Sequence, residues 1–252
     1  MRVVDQSAGA GMVWIKQAFL LFKAQPVAWI GLTSSWILLT LGLYKVIPVI
    51  GAPIATMLQP ALFAGMMLAA REQDAGRPLN MSFLFAALRL NGRALISLGA
   101  IVLLANTVVV LLLGALDFPG EVATNANGTL DAQAFAAMLT GNIGVFTLAL
   151  LLMMIINAVV WFATPLLAFN PMPPTHAIRW SFYALVGNLV PMVVFAILLF
   201  VALLVAILPW ALGLLVWLPV YAISNYTSYR QVFAEDRAAA ESAPAPTPPG
   251  DA

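Results

Sequence analysis

Charged residues are scarce in this sequence. Lysine and arginine together number 11, aspartate and glutamate 10, and only 8% of the 252 residues are charged. A soluble domain uses about 25% charged residues to cover its surface. Hydrophobic residues make up 63% of the chain. This composition excludes a water-soluble globule and predicts an integral membrane protein.

Cysteine is absent, and histidine occurs once, at His176. The sequence therefore offers no disulfide and no thiolate, and no acidic cluster or second histidine stands at metal-ligand spacing. No glycine-rich phosphate loop is present, and the serines lack a histidine and carboxylate for nucleophilic catalysis. A net charge of +1 leaves no basic domain for nucleic acid. We therefore predict no catalytic, cofactor-binding or metal-binding residue, no cofactor, no enzyme activity and no nucleic-acid partner.

Long apolar runs dominate what is present. A membrane helix needs about 20 mostly apolar residues, and six stretches qualify: 27–47, 54–70, 94–116, 143–169, 189–208 and 210–229. Pro209 and Gly213 predict the hairpin between the last two, because proline interrupts the helical hydrogen bonds. The predicted fold is an all-α polytopic membrane helix bundle with six transmembrane helices. It forms a single domain over 1–233, followed by a disordered tail over 234–252.

The 117–142 loop contains a short predicted helix. Asp131 is a suitable N-cap, residues 132–140 form a helical run, and Gly141 ends it. We expect this helix to rest on the outer membrane surface. A role in docking a partner is the less favoured interpretation.

The basic residues predict the orientation. Six spans place all but one of them on one side, and only Lys45 on the other. The ten on the shared side are Arg2, Lys16, Lys23, Arg71, Arg77, Arg89, Arg93, Arg179, Arg230 and Arg237. Because cytoplasmic loops carry the excess of lysine and arginine, both termini are predicted to be cytoplasmic, with the 117–142 loop outside.

Three segments of the sequence look alike. Short amphipathic stretches at 14–26, 83–93 and 177–188 each meet a polar break and then a span, and the second span of each pair contains a proline. The pattern predicts three parallel repeats of interfacial helix plus hairpin, although chance similarity among basic, aromatic cytoplasmic helices gives the same pattern. On these stretches the predicted contacts with lipid headgroups are Lys16, Lys23, Arg89, Arg93 and Arg179.

The span centres contain no ionisable residue, which disfavours proton-coupled transport and voltage sensing. Their polar residues are neutral, and we single out Gln59, Asn106 and Asn157. Such amides most often form hydrogen bonds between helices. The alternative is that they line a solute path. Ala61, Gly65 and Ala69, at four-residue spacing, predict close helix packing, within the fold or between subunits.

Two functions follow from these features. The favoured one is a non-catalytic scaffold, accessory subunit or lipid-organising protein, with the lipid bilayer, anionic lipids, a membrane protein or a second copy as partner. The alternative is a transporter or channel for an uncharged or lipidic solute. A polar cavity lined by the amides favours transport, whereas a dry bundle with paired amides favours the scaffold. We expect the dry bundle.

The end of the last span reads Tyr226-Thr227-Ser228-Tyr229-Arg230-Gln231-Val232-Phe233. Together with 11–15 and 22–26, this segment resembles a family of proteobacterial multi-pass inner-membrane proteins, over most of the chain up to about Phe233. The resemblance implies an inner-membrane location and a helical fold, and it supplies no substrate. The layout is also similar to the membrane domain of some glycerophosphodiester phosphodiesterases. Their catalytic domain is missing here, so no activity carries over.

Overall fold

The computed structural model describes residues 2–47, 49–116, 118 and 131–233. Within these ranges the secondary structure is helical, without strands, and the all-α prediction is confirmed. The predicted tail at 234–252 and most of the loop at 117–130 lie outside them. The α-helices are α1 (Ala10–Ala24), α2 (Pro26–Val46), α3 (Gly51–Asp74), α4 (Ala86–Ala115), α5 (Ala132–Gly141), α6 (Ile143–Phe169), α7 (Pro174–Gly187), α8 (Leu189–Ile207) and α9 (Leu214–Val232), with a 3₁₀ helix at Met81–Phe85.

In the described part of the chain, five helices are long and apolar enough to cross a membrane. They are α2, α3, α4 with its preceding 3₁₀ turn, α6 and α8. α9 has 19 residues but is not among them, since it carries Ser224, Asn225, Thr227 and Ser228. All four of these side chains are buried inside the protein, so they lower the hydropathy of α9 without facing lipid. The sixth crossing stays a prediction.

Three helices form the centre of the bundle. α3, α6 and α9 contact one another, and each contains a proline: Pro60, Pro165 and Pro219. The other long helices lie outside them, with α2 against α3 and α9, α4 against α3 and α6, and α8 against α9. The proline helices are therefore the ones whose side chains meet in the interior.

The three amphipathic segments pack on this core. α1 contacts α8 and α9, the 3₁₀ helix contacts α3, and α7 contacts α6. Each segment ends at a polar residue with non-helical backbone angles: Gln25 (φ −141°, ψ 61°), Asn91 (φ −143°, ψ 38°) and Asn188 (φ −119°, ψ 30°). The polar breaks seen in the sequence are thus the points at which the chain turns from a surface segment into a long helix.

The turn between α8 and α9 corrects one predicted boundary. Residues 210–213, expected to open the last span, belong to the turn, and α9 begins at Leu214. Trp210 and Ala211 have positive φ angles of 54° and 62°, which a continuous right-handed helix does not allow. The N–H of Gly213 donates to the carbonyl of Ala206 at 3.1 Å, which holds the turn against α8.

The small residues of α3 pack within the fold. Ala61, Gly65 and Ala69 are all buried, and Gly65 lies against the backbone of the 3₁₀ helix. A Cβ atom placed on Gly65 would lie 2.6 Å from the carbonyl oxygen of Leu84, so only glycine allows this approach. α3, the shortest of the predicted spans, proves to be the most buried of the five membrane-capable helices, at 56% of its apolar window.

The short helix of the loop lies where the sequence places it. α5 spans Ala132–Gly141. The carboxylate of Asp131 accepts hydrogen bonds from the backbone N–H groups of Gln133 and Ala134, both at 3.0 Å. Asp131 therefore serves as the N-cap, as its type and position predict.

Candidate functional site: a polar cavity among the central helices

A cavity of about 190 Å³ lies among the three proline helices, α2 and α4. Its wall is shared by five helices and, among the described residues, contains amides, hydroxyls and aromatic rings but no charged side chain. The lining residues are Trp36, Thr56, Gln59, Pro60, Phe63, Val102, Asn106, Asn157, Val160, Trp161, Thr164, Tyr221 and Asn225.

The structure brings the three predicted intramembrane amides together at this cavity. Gln59 comes from α3, Asn106 from α4 and Asn157 from α6, and all three line the wall. Thr107, one residue from Asn106, is exposed and does not line it. In the described part of the chain these three amides form no hydrogen bond between helices, so the expected pairing is not found, whereas the dry bundle stays a prediction. The amides share a cavity instead.

Two of the amides that line the cavity donate a hydrogen bond from the side-chain nitrogen to a backbone carbonyl. Asn157 Nδ2 donates to the carbonyl of Met153 in its own helix at 2.7 Å. Asn225 Nδ2 donates to the carbonyl of Trp161 at 2.9 Å. Trp161 lies four residues before Pro165, which has no N–H to donate, so Asn225 replaces the hydrogen bond that the proline removes.

Three buried polar atoms at the cavity have no hydrogen-bond partner in the protein. They are Trp36 Nε1, a donor, and the side-chain oxygens of Asn106 and Asn225, both acceptors. Leaving such a group unpaired costs about 1–3 kcal/mol, and buried polar groups in proteins are ordinarily paired. The three residues that carry these atoms all line the cavity, although the atoms themselves are buried in its wall.

Aromatic rings fix the shape of the cavity. The Tyr221 ring lies 5.7 Å from Phe63 and 5.3 Å from Trp161, and Phe63 lies 6.4 Å from Trp36, measured between ring centroids. Edge-to-face and tilted contacts at these distances are favourable and restrain the rings. The polar side chains of the wall therefore lie among aromatic rings whose positions are restrained.

The cavity lies where a packed half of the bundle meets a more exposed half. Residues 64–70 of α3, 162–167 of α6 and 222–228 of α9 are all buried, whereas none of residues 143–161 of α6 is. At the packed end, Arg230 forms an ion pair with Asp74, and Tyr226 Oη donates to the same carboxylate at 2.9 Å. We call this end, where α1 contacts α9, the α1 end.

The Ser-Tyr-Arg segment near the end of α9 has a structural part in the fold. Ser228 Oγ accepts from Trp161 Nε1 at 3.1 Å, Tyr229 Oη accepts from Asn170 Nδ2 at 3.0 Å, and Arg230 pairs with Asp74. These contacts tie α9 to α6 and α3. Sequence analysis missed Trp36 and Tyr221 at the cavity, because aromatic residues in a span usually pack in the core.

The five predicted lipid-contacting residues do not line the cavity. Lys16 and Lys23 lie on α1, Arg89 and Arg93 on the first turns of α4, and Arg179 on α7, and all five are exposed. Arg179 Nε donates to Tyr183 Oη at 3.2 Å. On α1, Trp14 is covered by protein, because it is fully buried and donates from Nε1 to Gln231 Oε1 at 2.9 Å.

The fold and the composition together define a multi-pass helical membrane protein. The chain is 30% identical over 189 residues to a probable inner membrane protein of Burkholderia thailandensis, and the match covers 72% of this chain and 68% of that protein. The chain belongs to the family of that inner membrane protein. No family model matches the chain, and no solved structure does.

Proposed function

We propose that this inner-membrane protein binds a small uncharged solute in the cavity and conducts it across the membrane, as a transporter or channel. The observation that carries the proposal is the convergence of Gln59, Asn106 and Asn157 on one cavity that also holds unpaired acceptors and an unpaired donor. This arrangement favours transport over the scaffold role that the sequence favoured.

The chemistry of the wall selects the solute class. The oxygens of Asn106 and Asn225 require hydrogen-bond donors, and Trp36 Nε1 requires an acceptor. No charged side chain balances an ion, so charged solutes are disfavoured. The volume suits a molecule a few times the size of water. Small polyols and amides have these properties.

The proposed orientation places the α1 end of the bundle in the cytoplasm. Ten of eleven basic residues lie on that side of the six-span topology, which supports cytoplasmic termini. The packed half of the bundle then faces the cytoplasm, and the cavity lies above it. In this orientation the more exposed half faces outward, the side from which the cavity is reached.

A threefold repeat is part of the proposal. Each amphipathic segment packs on the proline helix of the unit before it: the 3₁₀ helix on α3, α7 on α6 and, closing the circle, α1 on α9. This cyclic order supports three parallel units around one axis along the membrane normal. The cavity then lies near the axis, where the three proline helices meet.

We further propose that the protein is not an enzyme and needs no cofactor. The likeness to the membrane domain of glycerophosphodiester phosphodiesterases concerns only the layout of surface helices and hairpins. The motif Ser228-Tyr229-Arg230 makes packing contacts, which supports a structural reason for its presence in the chain.

A lipid-organising role is the second candidate. Its support is the exposed face of α1, where Lys16 and Lys23 alternate with Met12, Phe19 and Leu20, whose exposure ranges from 46% to 60%. A basic face with apolar side chains suits the boundary between headgroups and acyl chains.

Solute flux through proteoliposomes tests the transport proposal. Stopped-flow light scattering would follow the entry of glycerol or urea into liposomes with and without the full chain. We expect faster entry of at least one of these probes with the wild-type protein. Asn106→Leu combined with Asn157→Leu should abolish the gain, because both changes remove hydrogen-bonding groups from the wall.

The matched control is Thr107→Val, which removes a polar group from the exposed face next to Asn106. It should leave the flux unchanged. Wild-type rates in a correctly folded double variant would overturn the assignment of these amides to a path. Rates equal to those of empty liposomes for both probes and for water would argue against conduction and favour the lipid-organising role.

A further inference from the structure

The described part of the chain has a second concave surface besides the cavity. A groove of about 700 Å³ runs between α1, α8 and α9, and it shares no lining residue with the cavity. Its walls include Phe19 of α1, Ala202 and Val205 of α8, and Val216 of α9. Nearly all of the lining is aliphatic or aromatic.

One charged residue lines this groove. Lys16 lies at its α1 end, is exposed, and makes no ion pair in the described part of the chain. The other polar group in the wall, Trp217 Nε1, already donates to the carbonyl of Leu199 at 3.0 Å. The groove therefore offers a single cation at one end of an apolar channel.

The length of the groove matches one leaflet. From Leu198 to the end of α8 at Ile207 the wall rises nine residues, about 14 Å at the helical rise of 1.5 Å per residue. Half of a hydrocarbon core about 30 Å thick is about 15 Å. A lipid with its headgroup at the level of α1 thus reaches the far end of the groove with one acyl chain.

We propose that this groove binds an anionic phospholipid, with its phosphate at Lys16 and one acyl chain between α8 and α9. Charge complementarity favours this occupant over a helix from a second copy, because a phosphate gives the Lys16 ammonium a counter-charge that an apolar helix does not. The groove and the cavity share no lining residue, and they meet where Trp217 of the groove stacks on Tyr221 of the cavity with ring centroids 5.2 Å apart.

Native mass spectrometry of the full chain in detergent, with phosphatidylglycerol or phosphatidylcholine of the same acyl chains, tests the site. We expect one phosphatidylglycerol to be retained in preference to phosphatidylcholine. Lys16→Gln should weaken phosphatidylglycerol binding about fivefold, the effect of losing one basic residue at an anionic surface, and Lys16→Arg should retain it. Ala202→Trp should fill the groove and weaken the binding of both lipids.

Lys23→Gln is the matched control, because Lys23 is exposed on the same helix but does not line the groove. It should leave the lipid preference unchanged. Equal binding of both lipids, or equal losses in the two lysine variants, would overturn the proposal. A protein dimer that dissociates in the Ala202→Trp variant would also overturn the proposal, since the occupant of the groove would then be a second copy of the chain. If Ala202→Trp fails to fold, the comparison of Lys16→Gln with Lys23→Gln still decides.

Discussion

The nitrogen and the oxygen of the Asn225 side chain have different surroundings. Its nitrogen supplies the hydrogen bond that Pro165 denies to the carbonyl of Trp161, and its oxygen is buried without a partner. Asn106 also leaves its oxygen unpaired, and no hydrogen bond of its side chain holds two helices together in the described part of the chain. Asn225 therefore has a role in the stability of the fold that Asn106 lacks.

We expect Asn225→Leu to lower the free energy of unfolding by about 1–3 kcal/mol, because the carbonyl of Trp161 loses its partner. Asn106→Leu should cost much less. Thermal unfolding of the purified protein in detergent, followed by circular dichroism, measures both.

A second substitution separates this mechanism from a simple packing defect. Pro165→Ala restores a backbone N–H four residues after Trp161, so adding it to Asn225→Leu should recover part of the lost stability. If the double variant is no more stable than Asn225→Leu alone, the explanation of Asn225 is incorrect.

At the scale of single residues, the sequence identified the amides but not their surroundings. Gln59, Asn106 and Asn157 stand out because polar groups are rare in apolar spans. Trp36 and Tyr221 do not, since nothing in an apolar helix indicates which aromatic rings face a cavity. The pairing of Asn225 with a carbonyl freed by Pro165 agrees with the rule that neighbours satisfy such groups, yet the choice of neighbour depends on tertiary packing.

At the scale of the helices, close contacts depend on glycine, which has no side chain. Gly65 of α3 lies against the backbone of the 3₁₀ helix, whereas Gly114 of α4 has nothing within 4 Å of where a Cβ would be. Both glycines lie in long apolar helices, so the sequence alone does not distinguish them.

Gly65→Leu should destabilise the fold by about 1–3 kcal/mol or more, because the added atoms meet backbone that cannot move aside. Gly114→Leu, the matched change in open space, should be neutral. Size-exclusion profiles and melting temperatures in detergent compare the two. Equal stability of the two variants would contradict the packing of α3 on the 3₁₀ helix.

The elements themselves follow closely from the sequence. The length of the apolar runs predicts the long helices, and Asp131 predicts the start of α5. The polar breaks predict the ends of the amphipathic segments. The start of α9 was misplaced by four residues, because 210–213 are apolar enough to pass for a span and only the backbone angles reveal the turn. The hydropathy of α9 is also too low for a membrane span, because this measure takes no account of the burial of its polar side chains.

At the scale of the whole molecule, the orientation is open to direct measurement. Reporter fusions after Arg77, Thr129, Arg179 and Arg237 should read cytoplasm, outside, cytoplasm and cytoplasm, as the distribution of basic residues predicts. Thr129 and Arg237 lie outside the described residues. A cytoplasmic signal at Thr129 would overturn the six-span topology, and an outside signal at Arg237 would show that α9 does not cross.

The contact between α1 and α9 has a consequence for synthesis. Thr227 Oγ1 donates to the carbonyl of Trp14 at 2.9 Å across 213 residues of sequence, and the N–H of Val4 donates to the carbonyl of Val232 at 2.9 Å. α1 leaves the ribosome well before α9, so it waits for the synthesis of the chain between them before its partner exists. During that interval the face of α1 that contains Trp14, which is buried in the folded protein, is not yet covered by α9. The nascent chain is therefore open to insertion factors and membrane proteases at this face until α9 is made.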